Sequence, residues 1–111
     1  MNEIEIILLT EALGFLEEMP SKARKKMVSI LNQVKEGSRD SRIFKKLDGT
    51  NIWEFRLEYD SIAYRLLAFW AKNKKSLVVA THGFSKKDQK TPRKEIVKAE
   101  AIMKKYNETN R

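Results

Sequence analysis

Residues 52–84, IWEFRLEYDSIAYRLLAFWAKNKKSLVVATHGF, are the stretch of the sequence that decides the fold. Runs of β-branched and aromatic residues within it predict strands. The runs extend from Ile52 to Tyr59, from Ile62 to Ala71 and from Leu77 to Phe84. The breaks at Asp60-Ser61 and at Lys72 to Lys75 are short enough for hairpins. The stretch therefore predicts an antiparallel meander.

A strand and a helix are predicted at the start of the chain. Residues 3–9 are short, apolar and isoleucine-rich, which is typical of a strand. Thr10 can cap the helix that follows, with Leu13 and Leu16 on its buried face and Phe15 as a further candidate. The sequence does not fix where the first strand joins the sheet.

A second helix is predicted over residues 22–36, opened by Ser21. Its apolar stripe at helical spacing consists of Ala23, Met27, Ile30, Leu31 and Val34. Because only Pro20 and Ser21 separate it from the first helix, we expect an αα-hairpin. The residues that follow, 38–50, are expected to be irregular.

A last helix is predicted over about residues 92–106, with Thr91 as its cap and Pro92 at its first position. Its apolar stripe consists of Ile96, Ala99, Met103 and Tyr106. Residues 107–111 are expected to be frayed. The element order predicts an α+β fold: one domain over residues 1–111, in which the N-terminal αα-hairpin packs on one face of a small antiparallel sheet and a C-terminal helix follows.

Charge is distributed unevenly along the chain. The formal net charge is +8, yet residues 1–20 carry five acidic side chains and no Lys or Arg. Residues 21–111 hold 23 basic and 10 acidic side chains. Such a field favours a polyanion, whether nucleic acid, an acidic protein or an anionic membrane. A merely lysine-rich globule explains the charge equally well.

Several kinds of site are excluded or disfavoured by composition. The chain has no cysteine, so disulfides and Cys chemistry are excluded. With a single histidine, His82, a zinc site is not expected, and we predict no cofactor. No apolar run reaches the length of a membrane span, and the acidic start is unlike a signal peptide. These features are compatible with a cytoplasmic protein.

Basic residues are predicted to share one open face of the meander. Alternation places Trp53, Phe55, Leu57 and Tyr59 in the core, which leaves Glu54, Arg56 and Glu58 on the open face. Arg56 and Arg65 flank the first hairpin turn at comparable distances, so they are expected to be neighbours across the strands. Two guanidiniums on a solvent-exposed, rigid sheet face can bind a phosphate. The alternative for Arg56 is salt bridges with its flanking glutamates.

Other side chains that could bind or cleave RNA lie near the ends of the meander. His82 could act as a general acid or base, or could be a structural hydrogen-bonder. Lys86, Lys87 and Lys90 follow the last strand, and Lys45 and Lys46 precede the first. RNA cleavage needs neither a metal nor a protein nucleophile, because the substrate supplies its own 2′-hydroxyl. Arg, Lys, His and Tyr side chains suffice to align that hydroxyl, stabilise charge and move protons.

The segments from Lys45 to Trp70 and from Thr81 to Tyr106 closely resemble toxins of the RelE/ParE superfamily, especially its phage-related HigB-like branch. The motifs that carry the resemblance are Leu47-Asp48-Gly49, Trp53-Glu54-x-Arg56, Tyr64-Arg65 and His82-Gly83-Phe84-x-Lys86-Lys87, with Thr91-Pro92 downstream. The resemblance covers nearly the whole chain. It implies a RelE-like fold and ribosome-dependent cleavage of mRNA.

The resemblance also implies roles for individual residues and a partner. The implied catalytic set is Arg56, Arg65, His82, Lys86 and Lys87, with His82 the weakest candidate, and the expected RNA-binding set is Lys45, Lys46 and Lys90. The implied partner is an antitoxin, commonly a helix-turn-helix DNA-binding protein. Two alternatives remain: a ParE-like inhibitor of DNA gyrase and a non-catalytic nucleic-acid-binding module.

Overall fold

A computed structural model describes residues 3–88 and 90–110. The elements in chain order are β1 (Glu5–Leu8), α1 (Thr10–Glu18), α2 (Ser21–Lys35), β2 (Phe44–Lys46), β3 (Trp53–Tyr59), β4 (Ile62–Trp70), β5 (Leu77–Lys86) and α3 (Arg93–Thr109). Within the described residues the strands form one mixed sheet in the order β1-β5-β4-β3-β2. The α+β fold class expected from the sequence is confirmed.

The predicted meander forms the centre of the sheet. Strands β3, β4 and β5 pair antiparallel in succession. The β3–β4 turn consists of Asp60 and Ser61, which have φ values of 55° and 64°. Positive φ at both central residues is the geometry of a two-residue hairpin whose twist matches the strands. This turn sets a register in which Arg56 lies directly opposite Arg65, as the sequence predicted.

The two outer strands complete the sheet in ways that the sequence left open or missed. Strand β1 pairs parallel to β5, so the sheet is mixed rather than purely antiparallel. Strand β2 falls within residues 38–50, and the prediction of an irregular segment there is therefore wrong for these three residues. The buried Phe44 ring stacks on Phe55 with centroids 4.5 Å apart, and this contact fixes β2 beside β3. Three residues are too few for their alternation to be recognised in sequence.

One face of the sheet, the hairpin face, is covered by α1 and α2. The predicted stripe of α2 is confirmed, since all five of its residues are buried. In α1 the buried residues are Ala12 and Leu16, whereas Leu13 is 46% exposed, so its predicted burial is wrong. Thr10 is the first helical residue of α1 rather than its cap, and no side chain caps this helix.

The other face, the α3 face, is not open as predicted. Ile96, Ala99, Met103 and Tyr106 of α3 pack on an apolar cluster formed by Ile52, Leu67, Phe69, Leu77 and Val79. The helix extends to Thr109, so residues 107–109 are helical rather than frayed, while Arg111 lies outside the described residues. Among the described residues, no helix is long and apolar enough to cross a membrane.

A β-bulge in β5 changes which residues of that strand share a face. Leu67 pairs with His82, whereas the next residue, Ala68, pairs with Ala80, so Thr81 is the extra residue. Uninterrupted alternation would place His82 on the same side as Val78 and Ala80, which pack against the hairpin. The bulge moves it to the α3 face, where Arg65 and its neighbours lie.

We expect Gly83→Ala to destabilise the fold and Gly14→Ala to stabilise it. A Cβ at Gly83 would lie 2.2 Å from a ring carbon of Phe15 in α1, and such overpacking costs about 1–3 kcal/mol of the free energy of unfolding. A Cβ at Gly14 meets no heavy atom within 4 Å, so alanine there should add roughly 0.5–1 kcal/mol of helix propensity. Urea denaturation measures both values. A Gly83→Ala variant as stable as wild type would contradict the close approach of α1 to β5.

Candidate functional site

A buried carboxylate lies at the centre of the basic residues on the α3 face. Glu54 in β3 is only 3% exposed. Its Oε2 lies 3.3 Å from Nε of Arg56, and its Oε1 lies 3.8 Å from Nε of Arg65. The hydroxyl of Thr91 donates a hydrogen bond of 2.5 Å to the same Oε1. Thr91 therefore binds Glu54 instead of capping α3, which has no side-chain cap.

Arg65 is buried, whereas the sequence predicted a solvent-exposed side chain on an open sheet face. Its residue exposure is 1%, and Nη1 donates to the carbonyl oxygens of Tyr64 (3.3 Å) and Leu57 (3.5 Å). Nη2 lies 3.8 Å from Oε2 of Glu58, whose side chain is 55% exposed. Burial lowers the pKa of Arg65, and the charge of Arg56 lowers it further, whereas Glu54 and Glu58 oppose the shift. Arginine remains protonated even so.

The two paired arginines line a pocket of about 220 Å³, which we call the arginine pocket. Its other lining residues are Arg42 and Glu58. Arg42 is 87% exposed and holds Asp40 through a 2.8 Å ion pair from Nη2 to Oδ2. Three guanidiniums thus surround one cavity that is large enough for a phosphate group.

A second pocket, the lysine pocket, shares Arg56 with the first. It measures about 250 Å³ and is lined by Lys45, Leu47, Asp48, Glu54, Arg56, Lys90, Thr91 and Ile96. Lys45 faces it because it pairs with Glu54 across β2 and β3. Lys46 pairs with Trp53 and so lies on the hairpin face, away from both pockets. The structure therefore brings together Lys45 and Lys90 but not Lys46.

The two lysines at the end of β5 lie beside the pockets rather than in them. Lys86 is the last residue of the strand, not the first residue after it, and it pairs with Ala63 of β4. That position is two residues along from the Phe84–Arg65 pair, so Lys86 shares the face of Arg65 at about 7 Å along the strand. Its Nζ lies 3.8 Å from Oδ2 of Asp88. Lys87 is exposed.

His82 is buried beneath α3 and does not line either pocket. Its Nε2 lies 3.0 Å from Oε1 of Glu95, and its Nδ1 lies 3.0 Å from the hydroxyl of Thr81. Both ring nitrogens are therefore engaged. Burial lowers the pKa of His82, and the hydrogen bond with Glu95 opposes this only in part.

Sequence reasoning missed several residues of the site. Arg42 and Glu58 line the arginine pocket, Glu54 contacts Arg56 and Arg65, and Thr91 binds Glu54. The alternation of Glu54, Arg56 and Glu58 on one strand face was a usable signal for the carboxylates. For Thr91 and Arg42 no comparable signal exists, because their contacts depend on how loops outside the meander fold.

Comparison with protein families gives one match that covers most of the chain. Residues 14–104 match the family described as "Phage derived protein Gp49-like (DUF891)". The chain belongs to this Gp49-like family. A comparison with curated protein sequences gives no significant match.

Solved structures resemble this Gp49-like protein in fold. A doubly arginine-substituted mutant of the Escherichia coli toxin RelE in its free state has a TM-score of 0.62 at 19% identity, covering 87% of this chain and 93% of that one. A chain of the toxin–antitoxin complex RelBE2 from Mycobacterium tuberculosis has a TM-score of 0.56 at 16% identity, covering 76% of this chain and 99% of that one. The RelE-like fold and the phage-derived family confirm the resemblance seen in the sequence, and the HigB-like branch stays a prediction.

We expect the Gp49-like protein to lose stability as the pH falls below about 6.5, the ordinary pKa of histidine. The pKa of His82 is lower in the folded protein than in the unfolded chain. At pH values between these two pKa values the unfolded chain binds more protons than the folded protein. The free energy of unfolding therefore rises with pH in this range. Glu95, Lys98 and Glu11 face His82, and the bond from Lys98 lowers the pKa of Glu11, which keeps Glu11 charged in this window. Thermal unfolding from pH 5.5 to 7.5 measures the slope.

The matched variant for this measurement is His82→Gln, which keeps a polar side chain without a titrating ring. Its unfolding temperature should vary less between pH 5.5 and 7.5 than that of the wild type. Equal slopes for the two proteins would show that His82 is not the group responsible.

Proposed function

We propose that this protein is the toxin of a type II toxin–antitoxin system and that it cleaves mRNA on the ribosome in the cytoplasm. The observation that carries the proposal is the pairing of Arg56 with Arg65 in strand register beneath the arginine pocket. Rigidly held guanidiniums bind phosphate through two parallel hydrogen bonds in a fixed plane. The family and the RelE-like fold support the same reading.

The proposed reaction uses the substrate's own nucleophile. The 2′-oxygen attacks the adjacent phosphorus, the bond from phosphorus to the 5′-oxygen breaks, and the products are a 2′,3′-cyclic phosphate and a 5′-hydroxyl. One proton leaves the 2′-hydroxyl and one reaches the departing oxygen. Negative charge develops on the phosphoryl oxygens, where donors fixed in advance lower the barrier most. This reaction requires no bound metal or cofactor.

The three arginines contribute in different ways. Arg42 and Arg56 have exposed surface and meet an incoming phosphate first, whereas Arg65 forms the floor of the pocket. Glu58 is the exposed carboxylate beside Arg65. Its side chain can rotate into solvent, and a phosphate can then replace it as the ion-pair partner of Arg65. Because Arg65 is shielded from water, its attraction for a phosphate is screened less than that of a surface cation.

The remaining predicted residues take supporting roles in the proposal. Lys45 and Lys90 bind the RNA strand where it continues into the lysine pocket. Lys86, on the face of Arg65, and Lys87, exposed just after β5, bind flanking phosphates or stabilise the transition state. Lys46 is a weaker candidate because it faces the other side of the sheet. His82 is a weaker candidate for proton transfer because both of its ring nitrogens already have partners.

We also propose an antitoxin partner, of the helix-turn-helix kind that the sequence resemblance implied. The support is twofold. A structurally similar chain from Mycobacterium tuberculosis is part of a toxin–antitoxin complex, and this chain carries a net charge of +8. An acidic antitoxin segment would complement that charge and would compete with RNA for the arginine pocket.

We expect Arg56→Ala and Arg65→Lys each to slow mRNA cleavage about 100-fold, because each removes a planar donor from the developing charge. Arg65→Ala is a poorer test, since it would leave Glu54 buried without one of its cations and destabilise the fold. The rate is measured by primer extension on a message translated in vitro. The control is Arg39→Ala, at an exposed arginine whose guanidinium lies over Trp70, on the hairpin face.

The same assay separates the alternatives. Cleavage at the wild-type rate by both arginine variants would contradict the role of the arginine pocket. Intact mRNA together with inhibited DNA supercoiling would indicate a ParE-like gyrase inhibitor. Salt-sensitive RNA binding without cleavage products would indicate a non-catalytic binding module.

A further inference from the structure

We propose that Glu54 is a positioning residue: its buried carboxylate aligns Arg56 and Arg65 and, through the hydrogen bond from Thr91, fixes the residues just before α3. The proposal rests on the proposed function, because the aligned groups are those assigned to phosphate. Glu54 is the one Asp or Glu among the buried residues that the structure describes. It contacts both arginines and a threonine 37 positions away.

Stability alone gives no reason for a buried ion pair at this position. Burying a charge costs several kcal/mol, and replacing a buried ion pair by apolar residues of similar volume is often neutral or stabilising. The surroundings would accept apolar side chains in place of the pair, since Ile52, just before β3, is fully buried and Ile96 of α3 lines the adjoining pocket. What an apolar residue would not supply is an acceptor that holds two guanidiniums in place.

The contacts divide between the two carboxylate oxygens. Oε2 faces Nε of Arg56, and Oε1 faces Nε of Arg65. Contact at Nε leaves the terminal nitrogens of Arg56 able to donate to an anion in the arginine pocket. Without the carboxylate, two like charges on directly opposed strand positions would repel each other and separate.

The third contact extends the same control to the lysines. Thr91 is buried, and its hydroxyl donates to Oε1 of Glu54 just before α3 begins. Its neighbour Lys90 lines the lysine pocket together with Lys45. The carboxylate that aligns the arginines therefore also determines where Thr91 and its neighbour Lys90 lie relative to them.

The test compares Glu54→Gln with Thr91→Val in the full chain. Gln keeps the size of the side chain and an acceptor for Thr91 but removes the charge, whereas Val removes only the threonine donor. The control is Glu17→Gln, an exposed position in α1 on the hairpin face. Misplacement of a catalytic group by about 1 Å can cost roughly 100-fold in rate, so we expect Glu54→Gln to lower kcat by about 100-fold and to change KM by less than about threefold.

Thr91→Val should lower kcat by a smaller factor, about tenfold, because Arg56 and Arg65 keep their carboxylate. A wild-type kcat in folded Glu54→Gln would overturn the proposal. If Glu54→Gln does not fold, Thr91→Val decides: a wild-type kcat there overturns the proposal, and a reduced kcat at unchanged KM supports it.

A readout that does not depend on activity keeps the proposal separate from the proposed function. Nuclear magnetic resonance of the Nε–Hε groups reports whether the arginine side chains are fixed. In the wild type, Arg56 and Arg65 should give slowly exchanging signals, and in Glu54→Gln these should exchange rapidly while those of the Glu17→Gln control do not. Identical signals in all three proteins would overturn the positioning role. Absence of RNA cleavage by the wild type would overturn only the proposed function.

Discussion

The ion pairs that Glu54 makes within the sheet are the constraint to which the rest of the site adjusts. A carboxylate that is 3% exposed must be compensated by cations and donors, or the chain would not bury it. Here the compensation comes from Arg56 on the same strand, from Arg65 on β4 and from Thr91 just before α3. The hairpin register, the direction of the arginine side chains and the docking of α3 must therefore all agree for this carboxylate to be satisfied.

Layers of helix on both faces make that agreement possible. The hairpin of α1 and α2 packs on one side of the sheet and α3 packs on the other, and β4, the strand that carries Arg65, is almost wholly buried. The pKa of Arg65 is lowered by this burial, so its charge is maintained at a cost. A site assembled in this way is rigid before any ligand arrives, which is the condition for strong stabilisation of a developing charge.

Much of this fold is predictable from sequence, and the exceptions have common physical causes. The meander, the stripe of α2 and the Arg56–Arg65 adjacency follow from local periodicity and turn length. Strand β2 and the bulge at Thr81 do not, since a strand of three residues has too little pattern and one extra residue reverses every later face. Half of the site was predictable, because Arg56 and Arg65 stand out in the sequence whereas Arg42 does not.

The rest of the site depends on tertiary contacts. Thr91 and Pro92 have the sequence of a helix start, and the helix does begin there, yet the threonine hydroxyl binds a carboxylate 37 positions away. A local rule identified the residue and assigned it the wrong partner. Burial of Arg65 also depends on tertiary packing, because α3 docks on Leu67 and Phe69, which share its strand face.

The carboxylates around the arginine pocket differ in how readily a phosphate can replace them. Asp40 and Glu58 hold Arg42 and Arg65 from exposed positions, and exposed ion pairs contribute little to stability. Glu54 contacts its partners from within the sheet. Because it is buried and does not line the arginine pocket, a ligand in that pocket cannot displace it. The free protein thus keeps its guanidiniums neutralised. In the proposed function, an incoming phosphate would exchange with the outer carboxylates while the inner one maintained the alignment. The overall charge of +8 would attract the polyanion, and this difference between inner and outer carboxylates would let the pocket accept a phosphate.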